Sequence, residues 1–239
     1  MKTRIYDLPT RMFHWLFAVS FLTAFTLANV VDDESTVFAW HMLAGLIMGF
    51  AVILRIVWSF VGSKHARFSD FSLQPRQLLA YLKAVVTGQK VIWAGHNPAS
   101  SWAAIAMMGL AAGLTLTGIL MAADIRAEFL EDIHEFMADA FIFVVIAHIA
   151  GVVLHSMQYR DQLAKSMVTG VKSGLAESTA AVPAYKLAGV VFLLLTLSFG
   201  SYLWQNYQQN TGTLSLFGIQ LQLQSIEQDK LETNVHEDD

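Results

Sequence analysis

Residues 134–157 read HEFMADAFIFVVIAHIAGVVLHSM. Two properties of this stretch decide the fold. Its apolar run can cross a hydrocarbon core of about 30 Å, for which an α-helix needs about 20 residues. Within that run stand His134 and, fourteen residues on, His148. On a helix this separation is a rise of about 21 Å and a rotation about 40° short of four full turns. Both imidazoles therefore point to the same side of the helix at two depths. Ionisable groups inside a membrane span are expensive, and a functional role is their default reading.

Four more stretches are long and apolar enough, so the expected spans are about 12–31, 37–61, 99–123, 134–157 and 185–205. The composition agrees: 55% of residues are hydrophobic and 14% charged, against about 25% charged in soluble domains. The expected fold is all-α, an integral membrane four-helix bundle plus a fifth transmembrane helix. Lys2, Arg4 and Arg11 before the first apolar run outline a signal peptide, with Thr26-Leu27-Ala28 as a cleavage site. The run is too long for a signal core, so it is read as a retained first helix. There is no cysteine, which excludes disulfides, iron–sulfur clusters and Cys-x-x-Cys-His haem attachment.

Charge sets the orientation. Segments 1–11, 62–98 and 158–184 carry eleven basic residues: Lys2, Arg4, Arg11, Lys64, Arg67, Arg76, Lys83, Lys90, Arg160, Lys165 and Lys172. Segments 32–36, 124–133 and 206–239 carry only Arg126 and Lys230, beside Asp32, Asp33, Glu34, Asp124, Glu128, Glu131, Asp132 and an acidic tail. The positive-inside rule then places the N-terminus on the cytoplasmic side and the C-terminus outside, in a bacterial inner membrane. The net charge of −4 reflects the acidic outer face and gives no reason to expect nucleic acid.

Between the helices, Pro75 opens a stretch with Leu78, Leu79, Leu82, Val85 and Val86 at helical spacing, ending at Gly88. It reads as an amphipathic helix on the inner membrane surface. Asn97 and Pro98 have the chemistry of an N-cap and a first helical residue. Residues 173–184 read as a linker, separating a four-helix unit at 1–172 from helix 185–205 and an external tail at 206–239. Within that tail, Leu214 to Gln222 partly alternates apolar and polar residues, as a strand, a docking peptide or a disordered segment would. Gly109 and Gly113 in the third span favour close helix packing.

His14 lies near the inner end of the first span and His41 near the outer end of the second. With antiparallel helices, His41 and His134 share the outer level, and His14 and His148 the inner one. Two imidazoles at each level fit a planar haem held between them, giving six-coordinate iron tuned by second-shell hydrogen bonds and burial. Gly45, Gly49, Ala138 and Gly151 lie about one or two turns from these histidines, leaving room for a macrocycle or serving tight helix contact. Four histidines at two depths fit a single zinc site poorly. Arg55, fourteen residues after His41, sits on a similar face at the inner level, either as a partner for a haem propionate or snorkelling to the boundary. Arg11 is a second propionate candidate. His155 lies near the inner edge, where it could ligate in place of His148, bind a quinone carbonyl or face headgroups.

Several of these residues fall in motifs: Tyr6-Asp7-Leu8-Pro9-Thr10-Arg11 with Phe13-His14-Trp15, Arg55 with Trp58-x-Phe60-Val61-Gly62, and Arg67-Phe68-Ser69-Asp70-Phe71. Others follow at Gly95-His96-Asn97-Pro98, His134-Glu135, His148-Ile149-Ala150-Gly151-Val152 and Met167-Val168-Thr169-Gly170. Over about 5–172 the chain resembles the bacterial cytochrome b561 family, which includes the b-type cytochrome subunits of nickel–iron hydrogenases. The resemblance implies a four-helix bundle with two b-type haems ligated at His14, His41, His134 and His148, and electron exchange with the quinone pool. The fifth helix and tail depart from the compact four-helix pattern. The expectation is an electron-transfer protein between membrane quinone and an external partner, such as a c-type cytochrome or oxidoreductase subunit drawn to the acidic outer face. The alternative is a stand-alone superoxide:quinone oxidoreductase, as in some relatives, for which a basic outer patch would be the sign.

Overall fold

Capping fixes where the first helix starts. The Asp7 carboxylate accepts a hydrogen bond from the Thr10 backbone N–H at 2.8 Å, with Pro9 in the first turn, satisfying a donor the helix leaves orphaned. The other Asp7 oxygen accepts from Trp58 Nε1 at 3.1 Å, pinning the start of one helix to the end of the next. These features come from a computed structural model of the chain that describes residues 2–89, 93–125, 128–159, 163–176 and 179–223. Among the described residues five helices are long and apolar enough to span a membrane: α1 (Leu8–Val30), α2 (Ala39–Val61), α4 (Pro98–Ala122), α5 (Glu128–Tyr159) and α7 (Lys186–Asn206). Two shorter ones, α3 (Pro75–Val86) and α6 (Leu163–Thr169), lie between them. The protein is a multi-pass, all-α membrane bundle of four helices with a fifth spanning helix.

The bundle consists of two helix hairpins, α1 with α2 and α4 with α5, joined mainly where α2 meets α4. Glycine makes that junction close. A Cβ on Gly49 would lie 2.5 Å from Thr115 Cγ2, and Thr115 is held in place because its hydroxyl lies 2.8 Å from the Ala111 carbonyl. Small residues at such crossings let helices pack where lipid offers no hydrophobic drive. At mid-height Phe141 is fully buried, against Phe21 at 4.2 Å and Phe17 at 5.7 Å, in a cluster with Met48, Met108 and Leu114.

α5 extends six residues further toward its N-terminus than the hydropathy-defined span. Glu131 and Asp132 are exposed there; acids end an apolar window without ending a helix. α3 matches its expected start, with Gly88 at φ 71° just past its end. Its Tyr81 and Ala84 are buried while Leu79, Leu82 and Val86 are exposed, which leaves an apolar stripe for the membrane surface. Asn97 caps α4 as its chemistry predicts, accepting from Ser100 N–H at 2.8 Å.

At the end of the bundle that the charge pattern predicts to be inner, strand β1 (Lys2–Arg4) pairs antiparallel with β2 (Val171–Ser173). Residues 179–184 lie along the N-terminus: Val182 donates to the Arg4 carbonyl at 2.9 Å and Leu8 to the Ala184 carbonyl at 3.0 Å. At the opposite end, the predicted outer one, β3 (Tyr207–Gln208), β4 (Thr213–Leu216) and β5 (Ile219–Gln222) form an antiparallel sheet. Leu214 to Gln222, the partly alternating segment, is thus a hairpin, turning at Phe217 and Gly218 with φ of 50° and 90°. Its inward leucines, Leu214, Leu216 and Leu221, pack on Leu203, Leu43 and Ala122. The acidic run of the tail, with Lys230, lies outside the described residues, as do Lys90, Arg126 and Arg160.

If Gly49 sets the α2–α4 spacing, Gly49→Ala forces a clash costing about 1–3 kcal/mol. Thermal unfolding in detergent should show a lowered midpoint, restored in part by adding Thr115→Ala; an unchanged midpoint contradicts the close contact.

Candidate cofactor site

The outer pair of imidazoles is fixed by hydrogen bonds from the neighbouring helices. His41, on α2, lies with Nδ1 2.8 Å from the Ala24 carbonyl of α1. A carbonyl can only accept, so the proton is on Nδ1 and Nε2 carries a bare lone pair. His134, on α5, lies with Nδ1 2.8 Å from the Thr117 hydroxyl of α4. That hydroxyl is also 3.0 Å from the Gly113 carbonyl and 3.2 Å from the Leu114 carbonyl, two acceptors for its proton. Thr117 oxygen then accepts from the His134 Nδ1–H, and His134 Nε2 is bare as well. The two rings are 6.3 Å apart between centroids, with planes at 60°.

This geometry fits metal ligation. A metal–imidazole bond of about 2 Å and a ring radius of about 1.1 Å put two imidazoles across one ion about 6 Å apart between centroids. Engaging the far nitrogen with a carbonyl or hydroxyl is how ligating histidines are oriented. Among the described residues no group of three or more His, Cys, Asp or Glu side chains is placed to hold a metal, so the donors for a tetrahedral zinc site are lacking. Haem, whose macrocycle would supply the remaining donors to iron, fits a set of two imidazoles.

At the inner level His14 and His148 come within electrostatic range of one another. The glycines near these histidines differ in role. Gly49 is filled by Thr115, whereas a Cβ on Gly45 or Gly151 would meet nothing within 4 Å. Gly49 serves helix contact; Gly45 and Gly151 border open space.

Arg55 is 4% exposed, so it does not snorkel. Its Nη1 donates to Ser59 Oγ at 2.7 Å and to the Ala66 carbonyl at 2.9 Å, and its guanidinium lies 5.8 Å from the Phe13 ring centroid. Arg11 instead turns to α6, donating through Nη1 to the Val168 carbonyl. Trp15 Nε1 bonds the Met167 carbonyl beside it at 3.2 Å. His155 is buried on α5.

Sequence reasoning gave no role to the cluster at His65, Asp70 and His96. His65 Nδ1 is 2.8 Å from Asp70 Oδ2, and a Cβ on Gly95 would lie 2.5 Å from that His65 nitrogen. Glycine is therefore needed before His96. The His96 ring packs on Phe71 at 4.7 Å and bonds the His65 backbone, while its Nδ1 is buried without a partner. Gly95-His96-Asn97-Pro98 was the available signal, but the cap and the helix start accounted for only its last two residues.

Apolar spanning helices that pair intramembrane imidazoles define the class of membrane b-type cytochromes. Residues 5–170 match the model of the prokaryotic cytochrome b561 family, and the chain belongs to that family. It is a membrane cytochrome b of electron transfer, and membership implies b-type haem binding. A relative described as a probable Ni/Fe-hydrogenase B-type cytochrome subunit, from Rhizobium leguminosarum bv. viciae, is 36% identical over 77 residues. That match covers 26% of this chain and 32% of the relative. No solved structure matches the chain.

Burial pushes His96 down from 6.5 to about 4, helped by the positive charge of Arg55. Between these values the unfolded chain takes up a proton that the folded chain refuses. Stability therefore falls as pH drops from about 6.5 to about 4, by up to about 1.4 kcal/mol per pH unit. Melting temperatures of the parent and His96→Gln should diverge in that window, with the variant flatter; parallel curves would show that His96 is not held neutral.

Proposed function

We propose that the chain holds two haem b groups, one between His41 and His134 and one between His14 and His148. In this reading it carries electrons between the membrane quinone pool and an external redox partner. The observation that carries the proposal is the outer pair of bare Nε2 atoms, each fixed by a hydrogen bond at the opposite nitrogen. In a bilayer, an imidazole nitrogen without a partner is costly, and an iron between the two rings would satisfy both. Bound there, haem supplies an iron that changes by one electron between ferric and ferrous states.

The residues have distinct parts. His41 and His134 would ligate at the outer level and His14 and His148 at the inner one. Ala24 and Thr117 orient the outer imidazoles. Arg55, buried and cationic, would face a propionate at the inner level. Arg11 is engaged with α6, which makes it the weaker propionate candidate, and His155 is kept as a quinone-side candidate. The four-helix unit at 1–172 would house both sites, with 173–184 linking it to the fifth helix.

The distribution of Lys and Arg supports a cytoplasmic N-terminus and a periplasmic C-terminus in a bacterial inner membrane. Asp32, Asp33, Glu34, Asp124, Glu131 and Asp132 are all exposed. An acidic outer face suits a basic protein such as a small c-type cytochrome or a redox-enzyme subunit, and repels superoxide.

The test is a reduced-minus-oxidised spectrum with the haem-to-protein ratio, for the parent and for His14→Ala, His41→Ala, His134→Ala and His148→Ala. Two haems are expected in the parent, with substantial loss in every variant; undiminished haem across the series sinks the assignment. Thr117→Val should weaken haem retention at the outer level alone, by about 10–100-fold in affinity. Equal loss at both levels would mean that Thr117 serves the fold and not His134.

A further inference from the structure

The fifth helix creates a site that a four-helix bundle does not have. α7 lies beyond residue 170, where the family match ends, and packs on α1 and α2. Its inner end presses on α1, since a Cβ on Gly189 would lie 2.5 Å from Leu8 Cδ2. Further along, the helices part into a groove of about 390 Å³ bordered by the end of α6. Trp15, Leu16, Phe192 and Leu193 give it apolar walls, and Arg11 and Met167 line it as well.

Arg11 makes this groove more than a gap between helices. Its Nη1 is used on the Val168 carbonyl, but the side chain remains part-exposed along the groove and no carboxylate forms a salt bridge with it among the described residues. Two charged residues lie within electrostatic range of it, Arg4 and Asp7. The Asp7 carboxylate is committed through both oxygens, to Thr10 N–H and Trp58 Nε1. The local balance is therefore cationic, at the membrane face where Lys and Arg concentrate. A basic pocket between spanning helices on the cytoplasmic side is the recognised form of an anionic headgroup site.

We propose that the α1–α7 groove binds an anionic membrane phospholipid, with its phosphate at Arg11 and an acyl chain along Trp15, Leu16, Phe192 and Leu193. The part-exposed Arg11 guanidinium then has an anionic partner, and the apolar walls have a chain to cover them. The site rests on the cytoplasmic orientation proposed above and takes Arg11 for a lipid phosphate in place of a haem propionate; it does not depend on iron ligation, because none of its residues is a candidate iron ligand.

Trp15 reports directly on occupancy. The protein is placed in phosphatidylcholine vesicles containing a minor fraction of brominated phosphatidylglycerol or brominated phosphatidylcholine. The Trp15 signal is taken as the parent minus Trp15→Phe difference. Brominated phosphatidylglycerol should quench it about fivefold more effectively, the factor that one surface cation confers. Arg11→Gln should abolish the preference and Arg11→Lys should retain much of it. Should Arg11→Gln fail to fold, the parent preference must weaken as salt is raised. Equal quenching by the two lipids in the parent overturns the proposal, as does a preference that survives Arg11→Gln or is insensitive to salt. Loss of the phosphatidylglycerol preference on adding ubiquinone overturns it as well, by giving the groove to quinone. Protection of Trp15 from both lipids does the same, by giving it to a second copy of the chain.

Discussion

Inside a bilayer there is no water to complete a hydrogen bond, so an imidazole nitrogen needs a partner from the protein or from a bound group. This constraint orders the outer end of the bundle. His41 has one nitrogen on the Ala24 carbonyl and His134 has one on the Thr117 hydroxyl. Ala24 belongs to α1, the hairpin partner of α2; Thr117 belongs to α4, the hairpin partner of α5. Each hairpin therefore supplies both an imidazole and the group that aims it. The α2–α4 contact through Gly49 and Thr115 then brings the two aimed rings to 6.3 Å. Hairpin packing, tautomer and site geometry are one chain of cause.

The same helices keep the two levels apart. On α5, His134, Phe141 and His148 follow at seven-residue steps, each about 20° short of two full turns, so they share a face. On α2, His41, Met48 and Arg55 do likewise. Phe141 and Met48 thus lie halfway between polar levels, and both are buried in the aromatic layer with Phe17 and Phe21. A close-packed apolar layer leaves no room for water to join the two ends. The polar chemistry is thereby confined to the two faces of the membrane.

Legibility in the sequence followed the strength of the physical signal. Spans were readable because about 20 apolar residues in a row have few other uses. The four histidines stood out because a membrane span makes a polar group costly. Thr117 did not, since a hydroxyl in a helix with Gly109 and Gly113 reads as packing; its bond to His134 depends on how α4 meets α5. His65 and His96 lay in a connecting segment, where no period and no solvation penalty marks a residue as unusual. The outward extension of α5 was hidden by Glu131 and Asp132, because hydropathy measures the membrane boundary and not the helix end. The glycines near the histidines had two equal readings until the helix crossing separated Gly49 from Gly45.

The fifth helix follows from the same logic. In lipid, exposing the back of α1 and α2 costs little hydrophobic free energy, because acyl chains are as apolar as leucine. The hold of α7 on the bundle must therefore come from packing and from its ends. Phe199 stacks on Phe50 at 4.3 Å, and Trp204 on Trp40 at 5.9 Å. At the inner end, the chain leading into α7 is hydrogen-bonded to Arg4 and Leu8; at the outer end, the sheet following it packs Leu214 and Leu221 on the ends of α2 and α4. These contacts fall mainly on the hairpin that carries His14 and His41. A hairpin buttressed along its back and tied at both ends has less freedom to splay, which holds its two histidines at their levels. The added helix thus steadies α1 and α2, the hairpin that carries His14 and His41.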